Sequence, residues 1–273
     1  MKTASKLYMF FVMLFLYAPI IVMIVFSFNS INSTGVMSGF SLKWYSELFN
    51  SSSILSALKN TLILAISSSI ISVIIGTTAA VGIDMLKKKW VKSSILSVTN
   101  IPMMNPDIVT GVSMMLLFVF VGQILGKVNV LGFPTLLVAH VTFNLPYVIL
   151  SVLPKLRQTD PHLAQAAQDL GCTPLESFFK VVLPSITSGI VTGFIMAFTL
   201  SLDDFIISYF VSGPEFQTLP ILIFSMTKRR VKPNIYALSS LMFVAILLLL
   251  LAMNISQSRS ENKYKKTKIK EAN

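Results

Sequence analysis

Residues 7–28 form an apolar run without a single charged side chain. A run of about 20 such residues crosses a ~30 Å hydrocarbon core as an α-helix. Inside hydrocarbon the backbone must satisfy its own N–H and C=O groups, so a chain built from such runs is confined to helices or a closed barrel. Comparable runs recur at residues 57–85, 94–121, 134–153, 185–212 and 235–255, and their length favours helices. The expectation is an all-α membrane protein of six spans. Lys2 and Lys6 precede the first run, as in a secretory signal, but the run is too long for a signal core. No clear small-residue cleavage site follows it, so it reads as a retained span.

The balance of residues agrees. The chain is 54% hydrophobic and 12% charged, with mean hydropathy +0.76, too apolar for an ordinary soluble domain. A net charge of +11 suggests nucleic acid, but the basic residues stand at the ends of apolar runs, where they orient spans in a lipid membrane. One cysteine, Cys172, excludes an internal disulfide framework. Three regions follow: a first span and outer loop (1–56), a core of spans (57–255) and a basic tail (256–273) that reads as disordered. Residues 29–56 are polar, with Trp44 and Tyr45 suited to a membrane interface.

Six spans put both termini on one side. With the termini in the cytoplasm, that side receives 15 of the 22 Lys and Arg residues, as the positive-inside rule requires. Lys228, Arg229, Arg230 and Lys232 fall outside on this topology and speak against it. The apolar piece 219–226 is too short to span and reads as interfacial.

Between the fourth and fifth runs lies a polar stretch, residues 160–184, DPHLAQAAQDLGCTPLESFFKVVLP. Asp160 is a good N-cap, and Pro161 suits the first helical position. Leu163, Ala166, Ala167 and Leu170 share one stripe, with Gln165 and Asp169 largely off it. Gly171 can take the left-handed conformation that ends a helix. Thr173, Pro174 and Glu176 spell a fresh start with a capping box, and Pro184 marks the next break. A doubly capped helix pair between spans is suited to meeting a partner in water.

No chemistry of catalysis is legible. There is no phosphate-binding GxxxxGK[ST], no nucleophile elbow and no HExxH, and His140 and His162 lack metal-ligand spacing. A lone histidine in a span, such as His140, is more often a packing or hydrogen-bonding residue than a ligand. Acids within spans are a different matter, because a carboxylate there is costly and marks function by default. Asp107 follows Asn105 and Pro106, a helix start within the third run, which Pro102 and Pro106 interrupt. Asp203 stands about 18 residues above Ser185, roughly 27 Å along a helix, and Asp107 about 13 above Ser94, roughly 20 Å. Both belong to the outer half of the membrane. Ser188, Thr192, Thr199 and Asp203 fall within about 60° of one another at 100° per residue, a polar stripe able to line a pathway. Asp204 points elsewhere, with Ser201 or Ser208 as partners on its own helix. Carboxylates on a wet path favour cations, and an extended polycation suits several of them. Phe205, Tyr209 and Trp44 offer cation–π faces. The alternative is that Asp107 is a helix-start acid and the Asp pair is structural.

The stretch AAQDLG…FFKVVLP resembles the EAA loop of permease subunits of ABC importers. Ala166, Ala167, Gly171, Leu183 and Pro184 match the pattern, and Gln165 stands where it carries Glu, which removes a charge. KWYS at 43–46, NPDIV at 105–109, HVTFNLP at 140–146, SLDD at 201–204 and LPILIFSM at 219–226 are similar to the second permease type of spermidine/putrescine ABC transporters. That resemblance implies the type I importer permease fold with a cytoplasmic coupling helix, in a bacterial inner membrane. It implies that residues Leu163, Gln165, Ala166, Ala167, Asp169, Gly171, Thr173 and Pro174 dock on an ATPase. It further implies two ABC ATPase subunits that bind the ATP, a homologous second permease, an extracytoplasmic substrate-binding protein and a polyamine substrate. The chain itself is expected to hold no cofactor or metal and to be no enzyme. Asp107, Thr192, Thr199, Asp203 and Asp204 are the candidate pathway residues.

Overall fold

A computed structural model of the chain describes residues 2–31, 35–160, 162–228, 234–248 and 250–251. Pro161, Arg229, Arg230, Lys232 and the basic tail lie outside the described residues. The helices in chain order are α1 (Lys2–Phe26), α2 (Lys43–Asn50), α3 (Ser52–Met85), α4 (Lys89–Met104), α5 (Asp107–Ile124) and α6 (Phe133–Gln158). There follow α7 (Leu163–Asp169), α8 (Pro174–Ser177), a π-helical turn (Phe178–Val182), α9 (Leu183–Ser185), α10 (Thr187–Asp203), α11 (Ile206–Val211) and α12 (Leu219–Thr227). A last apolar helix, α13, covers Asn234–Leu248. Among the described residues the fold is helical, with one isolated antiparallel bridge between Asn29 and Phe40.

Among the described residues, four helices are long and apolar enough to cross a membrane: Ser5–Phe26, Ser52–Met85, Asp107–Ile124 and Phe133–Gln158. A fifth span counts if Pro174–Ser185 and Thr187–Asp203, bent by 69°, are taken as one. The sixth expected span meets α13, whose continuation toward residue 255 lies mostly outside the described residues.

The chain divides into two compact units, Met1–Lys59 with Leu219–Leu249, and Asn60–Thr218 with Leu250–Asn273. In the first unit, Trp44 and Leu48 of α2 pack with Ile54, Ala57, Leu219, Leu222, Ala237 and Leu238. The indole N–H of Trp44 donates to the Asn29 carbonyl at 2.6 Å, and the Tyr45 and Ser27 hydroxyls lie 2.7 Å apart. The piece expected to be interfacial, α12, supplies two side chains to this core. The apolar window of α1 has none of its residues buried in the chain.

In the second unit α6 is the central element. Helices in lipid gain little from apolar contact alone, so close approach of backbones and polar cross-links hold them together. Gly189 and Gly193 of α10 lie against α6: a Cβ on Gly189 would stand 2.8 Å from the Ser151 carbonyl oxygen, and one on Gly193 3.3 Å from the Val148 Cα. Gly76 of α3 reaches the same Val148, where a Cβ would come within 2.7 Å of Cγ1. Ser72 of α3 donates to the Val141 carbonyl of α6 at 3.4 Å. Gly111 of α5 admits Phe210 of α11, 3.0 Å from where a Cβ would be.

Two expected spans are divided. The third run becomes α4 and α5, parted at Asn105 and Pro106, both extended. Proline disfavours the helical conformation of the residue before it, so α4 stops there. The fifth run is not continuous either: α10 ends at Asp203, Asp204 is extended, and α11 starts two residues later.

Candidate functional site

The polar stretch folds as two short helices meeting at Gly171. Asp160 Oδ1 accepts the His162 N–H at 2.9 Å, the bond expected of an N-cap. The regular helix nevertheless begins only at Leu163, with His162 as the residue before it. At the other end Gly171 has φ +92°. Its N–H donates to the Gln168 carbonyl and that of Cys172 to the Ala167 carbonyl, the paired closure of a Schellman motif. Thr173 Oγ1 accepts the Glu176 N–H at 3.3 Å while Glu176 Oε2 accepts the Thr173 N–H at 3.0 Å, which is the expected capping box. The Thr173 backbone N–H, then the Lys180 ammonium 3.0 Å away, hold the Glu176 carboxyl down at about 2. Ser177, buried, donates to the Ala164 carbonyl at 2.8 Å and ties the two helices together.

Pro184 does not end the second helix. It lacks an N–H and its ring crowds the carbonyl four residues back. The turn before it widens to π geometry, with Leu183 N–H donating to the Phe178 carbonyl, and the bend falls at Ile186.

Of the expected stripe, Ala167 is buried while Leu163, Ala166 and Leu170 are exposed. Leu170 is 88% exposed, Leu175 72% and Phe179 60%, so the elbow shows apolar side chains that the chain itself does not cover. Gln165 and Asp169 are exposed, and Gln165 Oε1 lies 3.1 Å from His162 Nδ1. Thr173 and Pro174 are exposed as well.

The second constellation surrounds the corner between α10 and α11. Asp203 is exposed, and among the described residues no cation pairs with its carboxylate. Asp204 turns inward. Its Oδ1 accepts the Ile207 N–H at 3.3 Å and its Oδ2 the Ser208 N–H at 2.7 Å, which caps α11. The same Oδ2 lies 3.5 Å from His140 Nε2, and His140 Nε2 lies 3.1 Å from the Ser208 hydroxyl. One turn along α6, Asn144 donates to Ser201 Oγ at 2.8 Å, and Ser201 Oγ lies 3.0 Å from Ser68 Oγ of α3. Of the two roles expected for His140, packing or hydrogen bonding, it takes the second, and its contact with Asp204 is one that no local pattern signals. The expected bond between Asp204 and Ser208 forms, through the Ser208 N–H, although Ser208 belongs to the next helix; the other expected partner, Ser201, pairs with Asn144.

The expected stripe is only half-buried at Thr192 and Thr199. Their hydroxyls donate to the Ser188 and Ile195 carbonyls of their own helix at 2.8 and 2.9 Å. Asp107 is exposed in the first turn of α5.

The putrescine transport system permease protein PotI of Escherichia coli K12 is 39% identical over 232 residues, 85% of this chain and 83% of that protein. The spermidine/putrescine transport system permease protein PotC of the same strain is 36% identical over 241 residues, 88% and 89% of the two chains. PotC of Haemophilus influenzae is 37% identical over 242 residues, 89% and 91%. Among solved structures, a bacterial ABC transporter involved in import of the acidic polysaccharide alginate superposes with TM-score 0.75 over 94% of both chains at 18% identity. The MetNI methionine ABC transporter superposes with TM-score 0.60 over 77% of this chain and 98% of that one, at 17% identity. At such identities the likeness is one of fold. The family model of the binding-protein-dependent transport system inner membrane component matches residues 72–266, and the chain belongs to that family.

Proposed function

We propose that this chain is one permease half of an ATP-driven polyamine importer, with spermidine or putrescine as cargo. Relatives at 36–39% identity over most of the chain carry those substrates in their names. The observation that carries the reading within this chain is Asp203. It is a carboxylate at the end of an apolar span, exposed on the chain's own surface, and among the described residues no cation pairs with it. A charge in that position is costly unless a partner or water meets it, and an amine cargo is such a partner. Asp107, Thr192 and Thr199 complete the proposed path, on which Asp204 acts as a supporting residue.

The elbow at Gly171 is the proposed contact with the ATPase, through Leu163, Gln165, Ala166, Asp169, Thr173 and Pro174, while Ala167, buried, packs within the elbow and supports it. Its exposed leucines suit a groove on that partner. Two ATPase subunits bind and hydrolyse the ATP, a second homologous permease closes the pathway, and an extracytoplasmic binding protein delivers cargo. Both termini and the elbow face the cytoplasm. Closure of the ATPases moves the elbows and shifts the spans between outward- and inward-open states.

The test is uptake of radiolabelled spermidine and putrescine by the complete transporter in proteoliposomes. Asp203→Asn lowers uptake about tenfold or more at unchanged protein stability, the loss expected for one charge-assisted contact. Asp204→Ala lowers the amount of folded protein. Parental uptake by Asp203→Asn, or no polyamine uptake by the parent, overturns the reading.

A further inference from the structure

We infer that His140 is a positioning residue for transport: it clasps the corner between α10 and α11 and so sets where Asp203 stands. The importance of that placement rests on the proposed role of Asp203.

The corner has little of its own to fix its direction. Asp204 is extended at φ −62° and ψ 119°. The following helix, α11, is six residues long, too short to hold itself by backbone bonds alone. α5 packs against α11, with Phe210 in the space at Gly111, and two polar side chains of α6 bear on the corner itself. His140 and Asn144 stand one turn apart on that helix and face the two sides of the corner. Asn144 grips the α10 side through Ser201 at 2.8 Å. His140 grips the α11 side through the Ser208 hydroxyl at 3.1 Å and the Asp204 carboxylate at 3.5 Å. Asp203 lies between these two grips in sequence.

Both side chains are buried, His140 to 1% exposure and Asn144 to 0%. Each also leaves one polar atom, His140 Nδ1 and Asn144 Oδ1, without a partner among the described residues. A leucine at either site would avoid that cost. The Nε2 contacts are therefore what distinguishes His140 from an apolar filler, and a side chain carrying a donor at the same reach is expected to replace it.

The test uses the complete transporter in membrane vesicles with Cys172→Ser, which leaves this chain free of cysteine. Asp203→Cys serves as reporter, and its rate of modification by a charged methanethiosulfonate is measured. His140→Leu is expected to change that rate by about fivefold or more, the loss of one buried hydrogen bond. His140→Gln, whose amide reaches the Nε2 position, stays within about twofold of the parent. In chains that keep Asp203, the same two variants are compared for spermidine uptake at matched abundance, with the same order expected. Leucine and glutamine variants that behave alike in the reporter assay overturn the inference. If His140→Leu does not accumulate, His140→Asn takes its place, because its amide stops one carbon short of Asp204; equality of Asn and Gln then overturns the inference. A reporter that responds as expected in a transporter that takes up neither spermidine nor putrescine supports the clasp and sinks the polyamine reading.

Discussion

Replacing Gly171 by alanine isolates the backbone contribution of the elbow. Gly171 has φ +92°, and a Cβ built there meets nothing within 4 Å. No clash arises, so the whole cost is conformational. An L-residue held in the left-handed region costs roughly 1–2 kcal/mol, a factor of about 5–30 in the population of the elbow conformer. The neighbouring helix α7 has seven residues and cannot hold its direction alone. The junction holds it, through the Cys172 N–H on the Ala167 carbonyl and the Ser177 hydroxyl on the Ala164 carbonyl. If the ATPase binds only this conformer, its apparent affinity falls by the same factor of about 5–30. The assay is titration of ATPase subunits onto the permease pair in nanodiscs, followed by uptake at limiting and at saturating ATPase. Gly171→Ala is expected to weaken binding within that range and to recover uptake at saturation. Gly171→Asn lies between Gly and Ala, since asparagine tolerates the left-handed region better. A β-branched valine does worse than alanine. Parental affinity in Gly171→Ala, or asparagine no better than alanine, would refute the argument that the elbow is a backbone device.

Two further outcomes follow from other positions. Gly213 and Gly126 both have positive φ, at +68° and +67°, but a Cβ at Gly213 would stand 2.4 Å from the Leu131 carbonyl oxygen while Gly126 has open space. Gly126→Ala is expected to cost about 1 kcal/mol, against about 3 kcal/mol or more for Gly213→Ala, where backbone must move; thermal unfolding in detergent compares the two, and equal shifts would contradict the steric term. The Glu176 carboxyl, lowered from 4.5 to about 2 by the Thr173 and Lys180 contacts, supports the capping box while ionised. A carboxyl with a depressed folded value contributes stability that is present above the unfolded value and is lost as pH falls through the folded one. Amide-exchange protection at Glu176 and Ser177, corrected for intrinsic rates, should therefore hold down to about pH 4.5 and fall between there and about pH 2. Loss of protection already complete at pH 5, or retention below pH 2, would contradict it.

The elbow was legible because its signals are local. A cap, a left-handed glycine and a capping box each involve residues within five positions, and Gly171, Thr173 and Glu176 do what their types and spacing imply. Helicity of the spans was legible for a similar reason, since lipid leaves the backbone few alternatives. What local pattern misplaced was where helices stop. Pro184 suggested a break, yet a π turn absorbed it and the bend moved to Ile186. The division of the third run at Asn105 and Pro106 could be anticipated, because proline acts on its immediate neighbour. The end of α10 could not.

That end explains why two adjacent aspartates diverge. Helical periodicity separates neighbours by about 100°, enough to say that Asp203 and Asp204 face differently but not what each faces. The answer comes from α6, whose His140 lies 68 residues before Ser208 in sequence. Asp204 draws two backbone N–H groups and an imidazole onto its carboxylate, which lets a carboxyl sit within an apolar span. In doing so it stops α10 and starts α11. Among the described residues Asp203 has no such set of donors, and it is left on the chain's own surface. One acid thus builds the corner and the other stays at the surface, where the proposed contact with cargo falls to it, although both are the same residue type in the same four-residue motif. A dipeptide of acids inside a span is therefore weak evidence for two contacts with cargo until the partners of each are known. Here the partner of the structural acid is a lone histidine one helix away.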